Sequence, residues 1–139
     1  MTIILKLVDE KDIRFLYQLL KLRKPLENIS HKNMPSYNEH TKFVKSKPYQ
    51  KWYIIFENKK KIGSTYISKQ DEISMHFLPK FDSNKNMNHV LELILEKHPK
   101  SRYLANTNYK NKSLITFYKN NGFKLIQYTF ELVKEKNLK

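Results

Sequence analysis

Two groups of side chains in this 139-residue chain can do chemistry. In Glu72-Ile73-Ser74-Met75-His76-Phe77-Leu78, strand alternation sets Glu72, Ser74 and His76 on one face and Ile73, Met75 and Phe77 on the other. A carboxylate and an imidazole then point the same way and can relay a proton. Histidine is the side chain that ordinarily titrates near neutrality. A polar strand face turned to solvent would give the same pattern. The second group is Asn111, Tyr118, Gly122 and Phe123, at the spacing N-x6-Y-x3-G-F. A helix opening near Asn111 brings Tyr118 round to the same face two turns later. Gly122 closes that helix, where a residue free to take positive φ is wanted. Judged by type alone, Tyr118 is equally a core residue and Asn111 equally a helix cap.

These groups need elements to hold them. Strand character opens the chain at Ile-Leu-Lys-Leu-Val (4–8), and Asp9 or Asp12 can cap a helix through residues 13–23. Pro25 and Pro35 bound a loop over 24–35. A second helix starts at Ser36, where Ser36 and Glu39 form a capping box, and Pro48 marks its end. Strands follow at 52–57 and 61–68, joined by a hairpin loop at 58–60, and then at 72–78. A helix is expected over 89–98, a strand over 102–106, the helix carrying Tyr118, and a last strand over 124–132. No repeat, low-complexity tract or Gly/Ser linker divides the chain, so a single domain over 1–139 is expected.

The order β-α-α-β-β-β-α-β-α-β, with the N-x6-Y-x3-G-F segment, resembles the GNAT superfamily of N-acetyltransferases. That resemblance implies an α+β fold, a mixed, splayed β-sheet with helices on both faces. It implies acetyl-CoA as co-substrate and a neutral amine attacking the thioester directly. Such a reaction needs a base for the amine, an acid for the departing thiolate and a donor for the oxyanion. By resemblance Tyr118 is the acid, Asn111 contacts pantetheine or positions the tyrosine, and Glu72 and His76 are candidates for the base. The backbone of Met75, Phe77 and Leu78 would pair with the pantetheine arm like an added strand. The N-terminal half, with its polar loop and the Glu39-His40 pair, is similar to the GNAT subgroup acting on nucleotide-linked amino sugars. His31, Tyr37 and His40 are then candidate acceptor contacts.

One family signature is altered. A Gln/Arg-x-x-Gly-x-Gly/Ala turn normally brings coenzyme A pyrophosphate onto backbone amides at a helix N-terminus. Here Asp82, Lys85 and Met87 occupy its three defining positions. Side chains at Lys85 and Met87 would crowd the phosphates and Asp82 would repel them. In one account Lys85 compensates with its charge, Ser83, Lys85, Asn86 and Met87 still present amides, and Asp82 serves as helix cap or Asx turn. In the other, the chain is a catalytically silent GNAT-fold binding or partner module.

Composition narrows the field. The chain has no cysteine, hence no disulfide framework or thiol nucleophile, and no Cys/His cluster for zinc. Neither a signal peptide nor a run of apolar residues long enough to span a membrane is evident, so a cytoplasmic protein is expected. The net charge of +14 comes mostly from lysine, with arginine only at 14, 23 and 102. The lysine excess is general across the chain and fits anionic ligands without identifying one. The scarcity of arginine weighs against nucleic acid, whose readers rely on it. Aromatics interleaved with lysine over 47–53 are the one feature suited to stacking bases. A small amine acceptor, anionic overall, is the partner expected; monomer and homodimer both remain open.

Overall fold

β2 (Lys51–Glu57) is the strand around which the sheet is built, because Tyr53, Ile54 and Ile55 are all buried in succession. A strand alternates faces, so consecutive burial requires cover on both sides. In the computed structural model, which describes residues 2–23 and 34–134, that cover is helical on each face. Ile54 packs with Ile13 and Leu16 of α1 (Ile13–Lys21) and Val44 of α2 (Tyr37–Lys45). Tyr53 and Ile55 join Val90, Leu91 and Ile94 of α3 (Asn84–Lys97) and Phe117 and Tyr118 of α4 (Lys112–Asn120).

The sheet runs β1-β2-β3-β4-β5, with β1 at Ile3–Leu7, β3 at Lys60–Ile67, β4 at Glu72–Phe77 and β5 at Leu104–Ala105. Neighbours are antiparallel through β4, and β5 then lies parallel to β4 after the α3 crossover. The expected α+β architecture, a mixed sheet between helices, is therefore present.

Local chemistry sets most boundaries. In α2 the Glu39 amide donates to Ser36 Oγ at 3.1 Å and the Ser36 amide to Glu39 Oε1 at 2.8 Å, so the capping box forms as read. Asp9 caps a short 3₁₀ turn, Glu10–Asp12, that leads into α1. Asn58 and Lys59 both take positive φ, giving a two-residue turn in place of the three-residue loop, and β3 starts at Lys60. α3 starts five residues earlier than the apolar pattern suggested, because Ser83, and not Asp82, is its N-cap. Gly122 at φ +90° closes α4 as expected. There Phe123 N donates to Tyr118 O at 3.0 Å and Gly122 N to Lys119 O at 3.1 Å, a full Schellman motif.

The expected last strand is a correction. Residues 124–132 have strand alternation but form no ladder with the five-stranded sheet, and their side chains are exposed. Alternation sets which face is apolar; it does not provide a neighbouring strand to bond with.

Gly63 marks the closest approach in the sheet. A Cβ there would sit 2.4 Å from the His76 carbonyl oxygen and 3.1 Å from Phe77 Cα, both backbone atoms of β4. Gly63→Ala should therefore lower stability by about 1–3 kcal/mol through forced displacement of β4. Gly122→Ala meets no atom within 4 Å and should cost only about 1–2 kcal/mol of left-handed strain. Urea unfolding measures both.

Candidate active site

β4 turns its two edges to different tasks. Leu78 N donates to Ile62 O at 2.8 Å and Ser68 N to Glu72 O at 2.8 Å, so even-numbered residues bond toward β3. Odd-numbered residues then direct their amides and carbonyls to the opposite edge. β5 meets that edge only at Glu72↔Leu104 and Ile73↔Ala105. Beyond it, the backbones of Met75 and Phe77 face a gap that no other strand among the described residues enters. The gap suits an extended amide-bearing chain adding as a strand. Leu78 is not available in this way: its amide is bonded to Ile62 and its carbonyl accepts Phe81 N at 2.8 Å.

On the α1/α2 side of the same strand lies a cavity of about 680 Å³. Glu72, Ser74 and His76 line it together, as alternation required; Ile73 also contributes to the lining, although its side chain, like that of Phe77, is buried in the core. Glu72 is held at both oxygens, Oε1 accepting from Ser68 Oγ at 3.0 Å and Oε2 from Asn106 Nδ2 at 2.8 Å. His76 Nε2 sits 3.1 Å from Ser74 Oγ. Burial, and then the positive charge of Arg23, push the His76 pKa down to about 3. The imidazole is neutral at physiological pH, and its ordinary pKa is no guide here.

α2 brings His40 to the opposite wall. It is buried, its Nε2 has no hydrogen-bond partner among the described residues, and burial lowers its pKa against a bond to the Ile13 backbone. Tyr37 does not line the cavity; its ring is 5.2 Å from Tyr17, edge-on, and partly exposed. His31 falls outside the described residues.

Tyr118 is buried between Phe117 and Phe123, with ring centroids at 5.5 and 5.0 Å. Burial, reinforced by Tyr66, raises its hydroxyl to about 12. Asn111 caps α4, its Oδ1 accepting from Leu114 N at 3.3 Å, so its side chain has at least a structural task. At the start of α3 the Asn86 amide bonds Ser83 Oγ at 3.2 Å and Met87 N bonds Ser83 O at 2.9 Å. Asn86 is buried, with Nδ2 on Phe81 O at 2.8 Å. Met87 packs against the core and Lys85 is exposed, so the thioether expected to crowd the phosphates is turned away from solvent. The remaining first-turn amides are those of Asn84 and Lys85, which no helix carbonyl reaches.

The sequence reading missed the aromatic wall of the cavity. Tyr49 stacks flat on Tyr66 at 3.7 Å, Trp52 meets Tyr49 edge-on at 4.8 Å, and Trp52 Nε1 donates to Ser64 Oγ at 2.8 Å. These rings pack on one another and are not splayed to receive bases. Arg23 and Asn106 were missed too. Asn106 follows directly on the β5 residues paired with Glu72 and Ile73, a juxtaposition visible only in the fold.

No protein-family model and no curated protein sequence matches the chain. Solved structures do. An acetyltransferase from Thermus thermophilus is 15% identical, covering 91% of this chain and 90% of its own, with TM-score 0.74. YncA of Salmonella typhimurium, whose structure contains acetyl-CoA, is 12% identical over 88% and 80%, with TM-score 0.68. The spermidine/spermine N-acetyltransferase SpeG of Vibrio cholerae is 14% identical over 88% and 79%, with TM-score 0.67. The chain therefore has the GNAT acetyltransferase fold. Among the described residues no helix is long and apolar enough to cross a membrane.

The depressed histidines fix the sign of a pH effect. Below pH 6.5 the unfolded chain binds protons that folded His40 and His76 refuse, so stability falls as pH falls. Urea unfolding between pH 7.5 and 5 should show this loss. His76→Gln should flatten the slope by up to about 1.4 kcal/mol per pH unit. An unchanged slope would mean that His76 takes up its proton in the folded state.

Proposed function

We propose that the protein is an acetyl-CoA-dependent N-acetyltransferase that acetylates a primary amine by direct attack on the thioester. The observation that carries this reading is β4 itself. Its free edge at Met75 and Phe77 suits pantetheine, and its cavity face carries Glu72 and His76. An amine in the cavity and a thioester in the gap would meet across one strand.

Glu72 and His76 are the pair we assign to the amine. Neutral His76 can accept a hydrogen bond from it, while the carboxylate of Glu72, oriented by Ser68 and Asn106, draws the proton off through water. Tyr118 is assigned to the leaving thiolate. A hydroxyl raised to about 12 stays protonated, whereas an ordinary thiol ionises near ~8.5. Tyr118 thus donates a hydrogen bond to the departing sulfur, and a proton passed to the thiolate is regained by the phenolate from solvent. We assign the pyrophosphate to the amides of Asn84 and Lys85 with the Lys85 charge, beside Ser83. Asp82 is exposed just ahead of that helix and favours the second reading, a silent module on the same fold.

For the acceptor, the cavity supports an amine on an anionic carrier, such as a nucleotide-linked amino sugar. The carboxylates among its described lining residues are engaged internally, Glu39 by Ser36 and Glu72 by Ser68 and Asn106. Arg23 brings a positive charge to the same lining, and the Tyr49–Tyr66 stack gives a flat wall.

Isothermal titration should show acetyl-CoA binding; none at millimolar cofactor would overturn the enzyme reading and leave the silent module. Tyr118→Phe should lower kcat by about 10²-fold or more while acetyl-CoA affinity stays nearly constant. Equal turnover would remove Tyr118 from the mechanism. In an acceptor screen, nucleotide-linked amino sugars should outrun polyamines, aminoglycosides and N-terminal peptides. Preference for spermidine would refute the anionic-acceptor reading.

A further inference from the structure

Every group in the proposed reaction has a protein partner except one. Tyr118 is assigned to the sulfur, Glu72 and His76 to the amine, and the Met75 and Phe77 backbones to pantetheine. The acetyl oxygen, which takes up charge as the amine adds, still lacks a donor. On β3, Tyr66 lies directly across from Ser74, with Glu72 and His76 on its two diagonals. All four line the cavity. Neighbouring donors on that face are engaged. Asn106 Nδ2 bonds Glu72 Oε2 at 2.8 Å, and Ser74 Oγ lies 3.1 Å from His76 Nε2. Ser64 is buried beneath the Trp52 indole, which donates to it at 2.8 Å.

Tyr49 decides where the proton of the half-buried Tyr66 can go. The two rings stack at 3.7 Å, 2° from parallel, and their hydroxyls are hydrogen-bonded. That bond makes Tyr49 harder to ionise, as it does for a donor, so Tyr66 is the acceptor. The Tyr66 proton is left to point elsewhere, and a phenol that accepts one bond donates a stronger one. Tyr66 and Tyr118 belong to opposite faces of the sheet, yet Tyr66 acts on Tyr118 electrostatically. Two phenols thus approach β4 from opposite sides, one from α4 and one from the cavity.

On the basis of the acetyltransferase reading, we propose that Tyr66 is the oxyanion donor: its hydroxyl hydrogen-bonds the acetyl oxygen as the amine adds. The amine lone pair forms the C–N bond while the carbonyl π pair moves onto oxygen, where the Tyr66 O–H meets it. When the carbonyl re-forms, the C–S bond breaks and its electron pair leaves on sulfur, which Tyr118 serves. The amine proton departs through water to Glu72. Tyr66 keeps its own proton throughout, so nothing is needed to reset it. One phenol serves each heteroatom of the thioester.

Tyr66→Phe keeps the ring on Tyr49 and removes only the hydroxyl. The readout is thiol release from acetyl-CoA, with a UDP-linked amino sugar, spermidine, an aminoglycoside and an N-terminal peptide as acceptors. In the variant kcat should fall about 10²–10³-fold, with the KM values for amine and acetyl-CoA held and circular dichroism unchanged. Tyr49→Phe should lower kcat by less, and should do nothing further in a Tyr66→Phe background, because it acts only through Tyr66. An active wild type whose kcat survives Tyr66→Phe would overturn the proposal. So would a variant that raises only the amine KM, since Tyr66 would then be a binding contact. Additive losses from the two substitutions would overturn the Tyr49-to-Tyr66 donation on which it stands. A wild type that neither binds acetyl-CoA in titration nor releases thiol with any acceptor would instead sink the acetyltransferase reading, and this role with it.

Discussion

The brevity of the β4–β5 ladder is the constraint on which the rest depends. Two residues of parallel pairing hold β5 in the sheet, and then the strands part. Had the ladder run on, the amides of Met75 and Phe77 would be consumed internally and no extended ligand could add there. Parallel strands need a crossover between them, and α3 supplies it with Val90, Leu91 and Ile94 fully buried. The crossover thus anchors β5 firmly while leaving the rest of the β4 edge open. Strand alternation does the remainder, separating an apolar face toward α3 and α4 from a polar face toward the cavity.

That separation also explains why the site is held rather than merely present. Glu72 is fixed from two directions, by Ser68 of the preceding turn and Asn106 just past β5. Gly63 lets β3 approach the His76 carbonyl closely. Side chains at the end of a strand would otherwise have freedom to stray. Here the neighbours on both edges limit it.

Features governed by neighbours in sequence were legible in advance. The Ser36–Glu39 box, the shared face of Glu72, Ser74 and His76, and the positive φ of Gly122 each follow from a few adjacent residues. Features governed by distant neighbours were not. The competition between Asp82 and Ser83 for the cap was decided by which oxygen reaches the Asn86 amide. His76 loses its usual basicity to burial and to Arg23, an arginine fifty-three positions earlier. The flat Tyr49–Tyr66 pair joins residues on either side of a hairpin, and its rings read as scattered aromatics in the sequence. Lys85 and Met87 looked obstructive because side-chain direction around a helix start cannot be known before the cap is placed.

The end of α4 has a mechanical meaning. Phe123 is tied to Tyr118 twice, by its amide on the Tyr118 carbonyl and by its ring at 5.0 Å from the phenol ring. The helix and the segment beyond it are therefore an elbow with a stiff inner angle. The phenol lies inside that bracing. Those two contacts hold the Tyr118 ring against the end of its own helix.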